Sequence, residues 1–329
     1  MVKNFFKNNV IHKGLSAKLD FLFIIRPTIF FSVWLMVCIG MYVPLFAANS
    51  HPVFISDINF KTISLFLGVS FLMAILSIYN QLNKSSKQYI ISEKYNQQYL
   101  DKIRNFFAIF SFIFLMFANY ITVIPAVLIA FIGFKYLNQN NTRLIAVITI
   151  CILIMLIGFI FSVNLYNLSF TAFNINLFLL FFPYLLTFVV IHIYMETYGN
   201  NDFNKNGFLN DYSKKSISGI ILFLILVGLA ASLIMRDPLS SISIVVSLTF
   251  FIYAFLRGEK KDFLRVIRYT LAIFNFFILT IYPLMFFALI LLFYISKYYY
   301  WHRFDIHYPT FLVDSQTYNP LETTIEDKV

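Results

Sequence analysis

NQLNKSSKQYIISEKYNQQYLDKIR, residues 80–104, is the longest polar break in a chain otherwise made of apolar runs. KTISLFLGVSFLMAILSIY (61–79) precedes it and NFFAIFSFIFLMFANY (105–120) follows it. Apolar runs of 18 or more residues recur along the chain with few or no charges. As helices, such runs cross the roughly 30 Å hydrocarbon core of a bilayer. Lipid offers the backbone no hydrogen-bond partners, so only helices and closed barrels span it. Barrel strands are about ten residues of alternating character, and these runs are too long and too uniformly apolar for that. The fold class that follows is all-α: a polytopic membrane protein of about nine transmembrane helices.

Composition agrees. Of 329 residues, 60% are hydrophobic and only 12% charged, against about a quarter charged in a soluble domain. The net charge of +10 fits basic loops facing anionic lipid better than a nucleic-acid surface, and no nucleic-acid motif is present. The heavy use of Phe and Tyr, 42 and 21 residues, is read as compositional bias, not an aromatic box. Cys38 and Cys151 lie inside apolar runs, which excludes a disulfide framework. The basic, polar first 20 residues precede an apolar run too long for a signal peptide, so that run is expected as a retained helix.

In order, the expected spans are about 27–49, 61–80, 105–120, 122–137, 144–163, 174–196, 216–235, 239–256 and 269–296. Residues 1–20 form a basic segment suited to the membrane surface. The helical domain covers 21–297, and 298–329 is a tail that begins as an interfacial aromatic belt. Pro125, Pro183 and Pro283 fall inside spans as candidate kinks, and Arg236-Asp237-Pro238 is a strong turn signal. With the N-terminus cytoplasmic, every Lys and Arg except Lys61, Arg236, Lys297, Arg303 and Lys328 falls on the cytoplasmic side. That asymmetry predicts N-inside and C-outside in an inner, bacterial-type membrane. It also puts the 80–104 loop and its counterpart, ETYGNNDFNKNGFLNDYSKK (196–215), on one face.

The Arg26-Pro27 pair at the mouth of the first span and the polar loops opening at Asn80 and Glu196 resemble the UbiA-type intramembrane prenyltransferases. The resemblance runs from about Phe21 to Ser296. In that family the first loop reads Asn-Asp-x-x-Asp-x-x-x-Asp. Laid from Asn80, the asparagine is kept, and Gln81, Lys84 and Gln88 stand at the aspartate positions. The second motif, Asp-x-x-x-Asp, becomes Glu196 to Asn200, with Asp202 close by. The resemblance implies a prenyl (di)phosphate donor and two Mg²⁺ ions held by carboxylates. Mg²⁺ prefers hard, charged oxygens. The amides that replace the aspartates bind it weakly and Lys84 repels it, so Glu196 with Asp202 is the remaining metal candidate.

The residues themselves suggest direct charge pairing. Lys84 and Lys87, with Arg104 or Lys205, can neutralise a phosphate, while Asn80, Gln81, Asn83 and Asn200 donate hydrogen bonds. Arg26 either contacts a phosphate or anchors its helix. The expected catalytic set is Asn80, Lys84 and Glu196, although a lysine-rich loop at a cytoplasmic boundary also follows from the positive-inside rule alone. His192 lies one turn before Glu196 and shares its face; no third ligand at suitable spacing completes a zinc site. The expected partner is a membrane lipid or isoprenoid. Three functions compete: prenyl transfer to a lipophilic or aromatic acceptor, a non-catalytic lipid-binding relative, and a lipid or solute transporter. Few ionisable residues within the spans argue against the last.

Overall fold

The structure is a computed structural model that describes residues 10–25, 27–53, 55, 59–83, 96–137, 139, 142–168, 175–198, 214–279 and 281–304. Among these there is no strand. The helices are α1 (Val10–Ile24), α2 (Phe30–Asn49, entered through a 3-10 turn at Pro27–Ile29), α3 (Phe60–Asn83), α4 (Gln97–Ala118), α5 (Val123–Tyr136) and α6 (Arg143–Leu165). They continue as α7 (Ile175–Tyr198), α8 (Lys214–Ile234), α9 (Pro238–Arg257), α10 (Lys260–Leu279) and α11 (Pro283–Phe304). Six of them, α2, α3 and α6 to α9, are long and apolar enough to cross a membrane, and α5 and α11 hold shorter apolar stretches. The protein is an integral membrane protein.

The ends of these helices follow local chemistry. Asn96 caps α4 by accepting from the Gln98 N–H at 3.3 Å, and Asp237 caps α9 with Pro238 in its first turn. Gly258 closes α9 at φ 69°, its N–H reaching the Ala254 carbonyl, a left-handed conformation that glycine adopts without strain. Pro125 sits in the first turn of α5, where a missing N–H costs nothing, whereas Pro183 lies inside α7.

The expected last span, 269–296, is two helices. Pro283 begins α11 instead of kinking one long helix. It lacks an N–H and disfavours helical geometry at the residue before it, so α10 stops at Leu279 and the chain turns through Ile281 and Tyr282. The turn lies beside the α2–α3 connection, where the Ile55 N–H donates to the Ile281 carbonyl at 2.8 Å. The far end of α11 lies beside α1: the Tyr299 hydroxyl donates to Asp20 at 2.8 Å, and its ring stacks on Phe23 at 3.7 Å. Ile55 follows α2 and Asp20 precedes it, so α11 runs back along the full length of the bundle.

Three expectations change. The described ends of the chain, α1 and the last turn of α11, lie at the same end, not at opposite ends. The tail does not start at 298, because Tyr299 is fully buried. The N-terminal segment does not only lie on a surface, since Asp20 and Phe23 dock against α11. The hairpin also moves Lys297 and Arg303 to the end that holds the basic loops. Among the described residues, Lys61 and Arg236 alone remain at the opposite end, a sharper asymmetry than one long span allows. Epitope tags at the two termini are expected to be accessible from one side only, in sealed spheroplasts against lysed cells. Tags on opposite sides would restore the single long span.

α2 is the central element, packed along α6 and touching α3, α7 and α10. Nearly every residue from Phe30 to Phe46 is buried, so this helix is apolar all round, as a surrounded helix must be. Its approach to α6 rests on two glycines. A Cβ on Gly40 would lie 2.1 Å from the Met155 carbonyl oxygen, and one on Gly158 would lie 2.3 Å from that of Val37. Without a hydrophobic drive between helices in lipid, such close backbone contact is a main source of packing energy. At the bundle edge, α4 and α5 expose Phe106, Ile109, Phe117, Ile124 and Phe131, an outer surface suited to acyl chains.

Candidate functional site

The loops singled out in the sequence open at one end of the bundle, called here the inner end. α3 and α7 both run toward it, and α2 packs against both. Side-chain contacts trace its rim. Tyr79, near the end of α3, donates to the Phe134 carbonyl of α5 at 3.0 Å and meets its ring edge-on. Tyr194, near the end of α7, is fully buried between Phe251 of α9 and Phe263 of α10. Tyr299 closes the rim against α1.

Asn80 is the member of the expected site whose side chain is described. It is half-buried near the end of α3, and its Oδ1 is covered without a hydrogen-bond donor. A buried carbonyl oxygen left unmet costs about 1–3 kcal/mol, so this position suits a ligand that brings a donor or a cation. Gln81 and Asn83 occupy the last turn of α3 and Glu196 the last turn of α7, but their side chains lie outside the described residues. Arg26, Lys84, Lys87, Gln88, Asn200, Asp202 and Lys205 lie outside them altogether. Arg104, a candidate phosphate partner, is paired instead with Asp101 at 3.0 Å, one turn earlier.

His192 has a partner that spacing could not reveal. Its Nε2 lies 3.4 Å from the Cys151 sulfur across the α6–α7 contact. The thiol is buried and not disulfide-bonded. No group of three or more metal-ligating side chains occurs among the described residues. The first loop offers Asn80, Gln81, Lys84 and Gln88 where the resemblance implies carboxylates for two Mg²⁺ ions, and of these Asn80 alone has a described side chain. Neutral amide oxygens are poor substitutes for carboxylates around so hard a cation.

Cations gather at the α9–α10 corner of the inner end. Asp262, 1% exposed, takes Arg257 Nε at 3.3 Å and Arg265 Nη1 at 3.2 Å. Arg257 also reaches Glu259 at 2.6 Å and the Tyr253 hydroxyl. Arg268, further along α10, shares none of these partners.

The other end of the bundle holds a buried carboxylate of a different kind. Asp237 is 1% exposed and accepts from the hydroxyls of Tyr42 and Tyr184, each at 2.7 Å, and from the Leu239 N–H at 3.2 Å. The network ties α2, α7 and α9 together. Every oxygen of that carboxylate is engaged, which marks it as structural.

No family model matches the chain, and no curated protein does. A solved structure of a digeranylgeranylglyceryl phosphate synthase in membranes matches 77% of this chain and 97% of its own with a TM-score of 0.50 at 18% identity. The two share a fold, and the all-α membrane bundle expected from the sequence is the architecture observed.

Proposed function

We propose that this chain, built on the fold of the UbiA-type prenyltransferases, is a divergent membrane prenyltransferase. It would move an isoprenoid chain from a prenyl phosphate or diphosphate to a lipophilic or aromatic acceptor. The observation that carries the reading is the shared fold, with α3 and α7, which lead into the two polar loops, both ending at one end of the bundle. The positive-inside pattern supports a cytoplasmic inner end and an inner, bacterial-type membrane.

The chemistry is an allylic substitution. The C–O bond to the phosphate breaks with its electron pair leaving on oxygen. A carbon or oxygen of the acceptor bonds to the allylic carbon, and the acceptor loses a proton. Stabilising the departing phosphate is the main demand. In this chain that task falls to the amide N–H groups of Asn80, Gln81, Asn83 and Asn200 and to the cations of Arg26, Lys84, Lys87 and Lys205. Glu196, whose carboxylate belongs to the last turn of α7, takes the acceptor proton. No step is assigned to Mg²⁺.

The test uses the full-length protein in liposomes with radiolabelled geranylgeranyl diphosphate and a lipid extract as acceptor, with Mg²⁺ or with EDTA. Label transferred together with pyrophosphate release supports the reading. Glu196→Gln should then slow transfer by about 100-fold or more, the usual loss for a general base, with donor binding retained. Saturable binding with no turnover would instead support a non-catalytic lipid-binding relative, which the missing carboxylates of the first loop favour. Absence of both would sink the two readings together.

A further inference from the structure

Arg268 is a half-buried cation that no carboxylate among the described residues pairs with. It lies nine residues into α10, about 12 Å along the axis from Lys260 at 1.5 Å per residue. It is half-buried, and its Nε is covered with no acceptor. Among the described residues no carboxylate pairs with it, whereas Arg257 and Arg265 both reach Asp262. Two turns deeper on the same face, Asn275 is buried with Oδ1 also unmet, its amide nitrogen spent on the Leu271 carbonyl at 2.8 Å. Leu271 lies between them, buried. One stripe of α10 therefore carries a half-buried cation toward the inner end, an apolar side chain, and an unmet acceptor further in.

A half-buried charge with no carboxylate partner among the described residues, on a helix packed within a membrane protein's bundle, is costly and points to a functional site. Helical side chains lean toward the helix N-terminus, which aims the guanidinium at the inner end. Its planar fork matches two phosphate oxygens, and as a weakly hydrated cation it is desolvated more easily than an ammonium. We propose that Arg268 binds the phosphate head of a membrane-embedded lipid whose chain lies along α10. The head is either that of an isoprenyl (di)phosphate or that of a phospholipid. In the first form the inference rests on the prenyltransferase reading; in the second it does not. Arg268 would supply at the inner end a charge that the missing carboxylates and their metals do not.

The test compares the full-length wild type with Arg268→Gln, Arg268→Lys and the control Arg265→Gln. Farnesyl diphosphate binding is measured in neutral-lipid nanodiscs by titration calorimetry, and thermal stability in nanodiscs with and without phosphatidylglycerol. Arg268→Gln removes a half-buried charge, so without ligand it should fold and melt at or above the wild-type temperature. It should bind farnesyl diphosphate at least about 10-fold more weakly, the loss of one charged hydrogen bond. Arg268→Lys should fall between, and Arg265→Gln should match the wild type. If only the stabilisation by phosphatidylglycerol disappears in Arg268→Gln, the head is that of a phospholipid. If Arg268→Gln stays within about twofold of wild type for both probes, the inference is overturned. Unchanged binding alongside prenyl transfer would overturn it and leave the proposed function standing. Arg268-dependent binding without transfer would do the reverse.

Discussion

Gly158→Leu is expected to abolish the folded bundle, and Gly158→Ala to lower its stability by about 3 kcal/mol, the upper part of the range for overpacking a close-fitted interior. The atom a new Cβ would strike is the Val37 backbone oxygen at 2.3 Å, and a backbone atom inside a helix cannot rotate away. α2 and α6 would have to separate. Because α2 also touches α3, α7 and α10, separation there loosens the whole core. Gly40→Ala meets the Met155 oxygen from the opposite side and should behave alike. Gly14→Ala, with no atom within 4 Å, is the control. It should be neutral or slightly stabilising, since alanine favours a helix by about 1 kcal/mol over glycine. Size-exclusion profiles and melting of the detergent-purified variants decide it. A Gly158→Ala protein that melts like the wild type would show that the helices part more easily than this packing allows.

Asp237→Ala is the second large effect. It removes the acceptor of two buried tyrosine hydroxyls and of the Leu239 N–H. Each buried donor left unmet costs about 1–3 kcal/mol and the lost helix cap about 1 kcal/mol, so a total of about 4 kcal/mol is expected. The sign of a second substitution makes the account specific. Adding Tyr42→Phe and Tyr184→Phe to Asp237→Ala should recover part of the loss, because removing both partners of a buried hydrogen bond is milder than removing one. The two phenylalanine changes on the wild-type background should each destabilise by about 1–2 kcal/mol. If the triple variant is less stable than Asp237→Ala alone, the tyrosines act through packing and not through their hydroxyls.

These two sites differ in how far a reader of the sequence could reach them. Asp237-Pro238 is legible as a turn, because proline's fixed φ and missing N–H act locally. That its carboxylate would collect hydroxyls from residues 195 and 53 positions away is not, since nothing local marks Tyr42 or Tyr184 among 21 tyrosines. Gly40 and Gly158 are likewise ordinary until α2 and α6 are seen to cross there. At the candidate site the balance is similar. Asn80 and Glu196 were legible as the points where apolar runs meet polar loops, and both stand at helix ends facing one way. Cys151 beside His192, and Arg268 with no carboxylate partner among the described residues, were hidden, because pairing depends on neighbouring helices.

The apolar runs, the polar loops between them and the side of the basic residues were determined by the chain alone. Hydropathy acts on each segment separately, and a backbone in lipid has one way to satisfy itself within a segment. The span expected at 269–296 shows the limit. Residues 269–296 are apolar enough to look continuous, and Pro283 is as compatible with a kink as with a break. Only the contacts of Ile281 with Ile55 and of Tyr299 with Asp20 show that the chain turns and returns. Tertiary structure decided that hairpin, the Gly40–Gly158 crossing, the closed Asp237 network and the half-buried setting of Arg268. Each depends on which surfaces meet, and side chains far apart in sequence are matched only once the helices are packed.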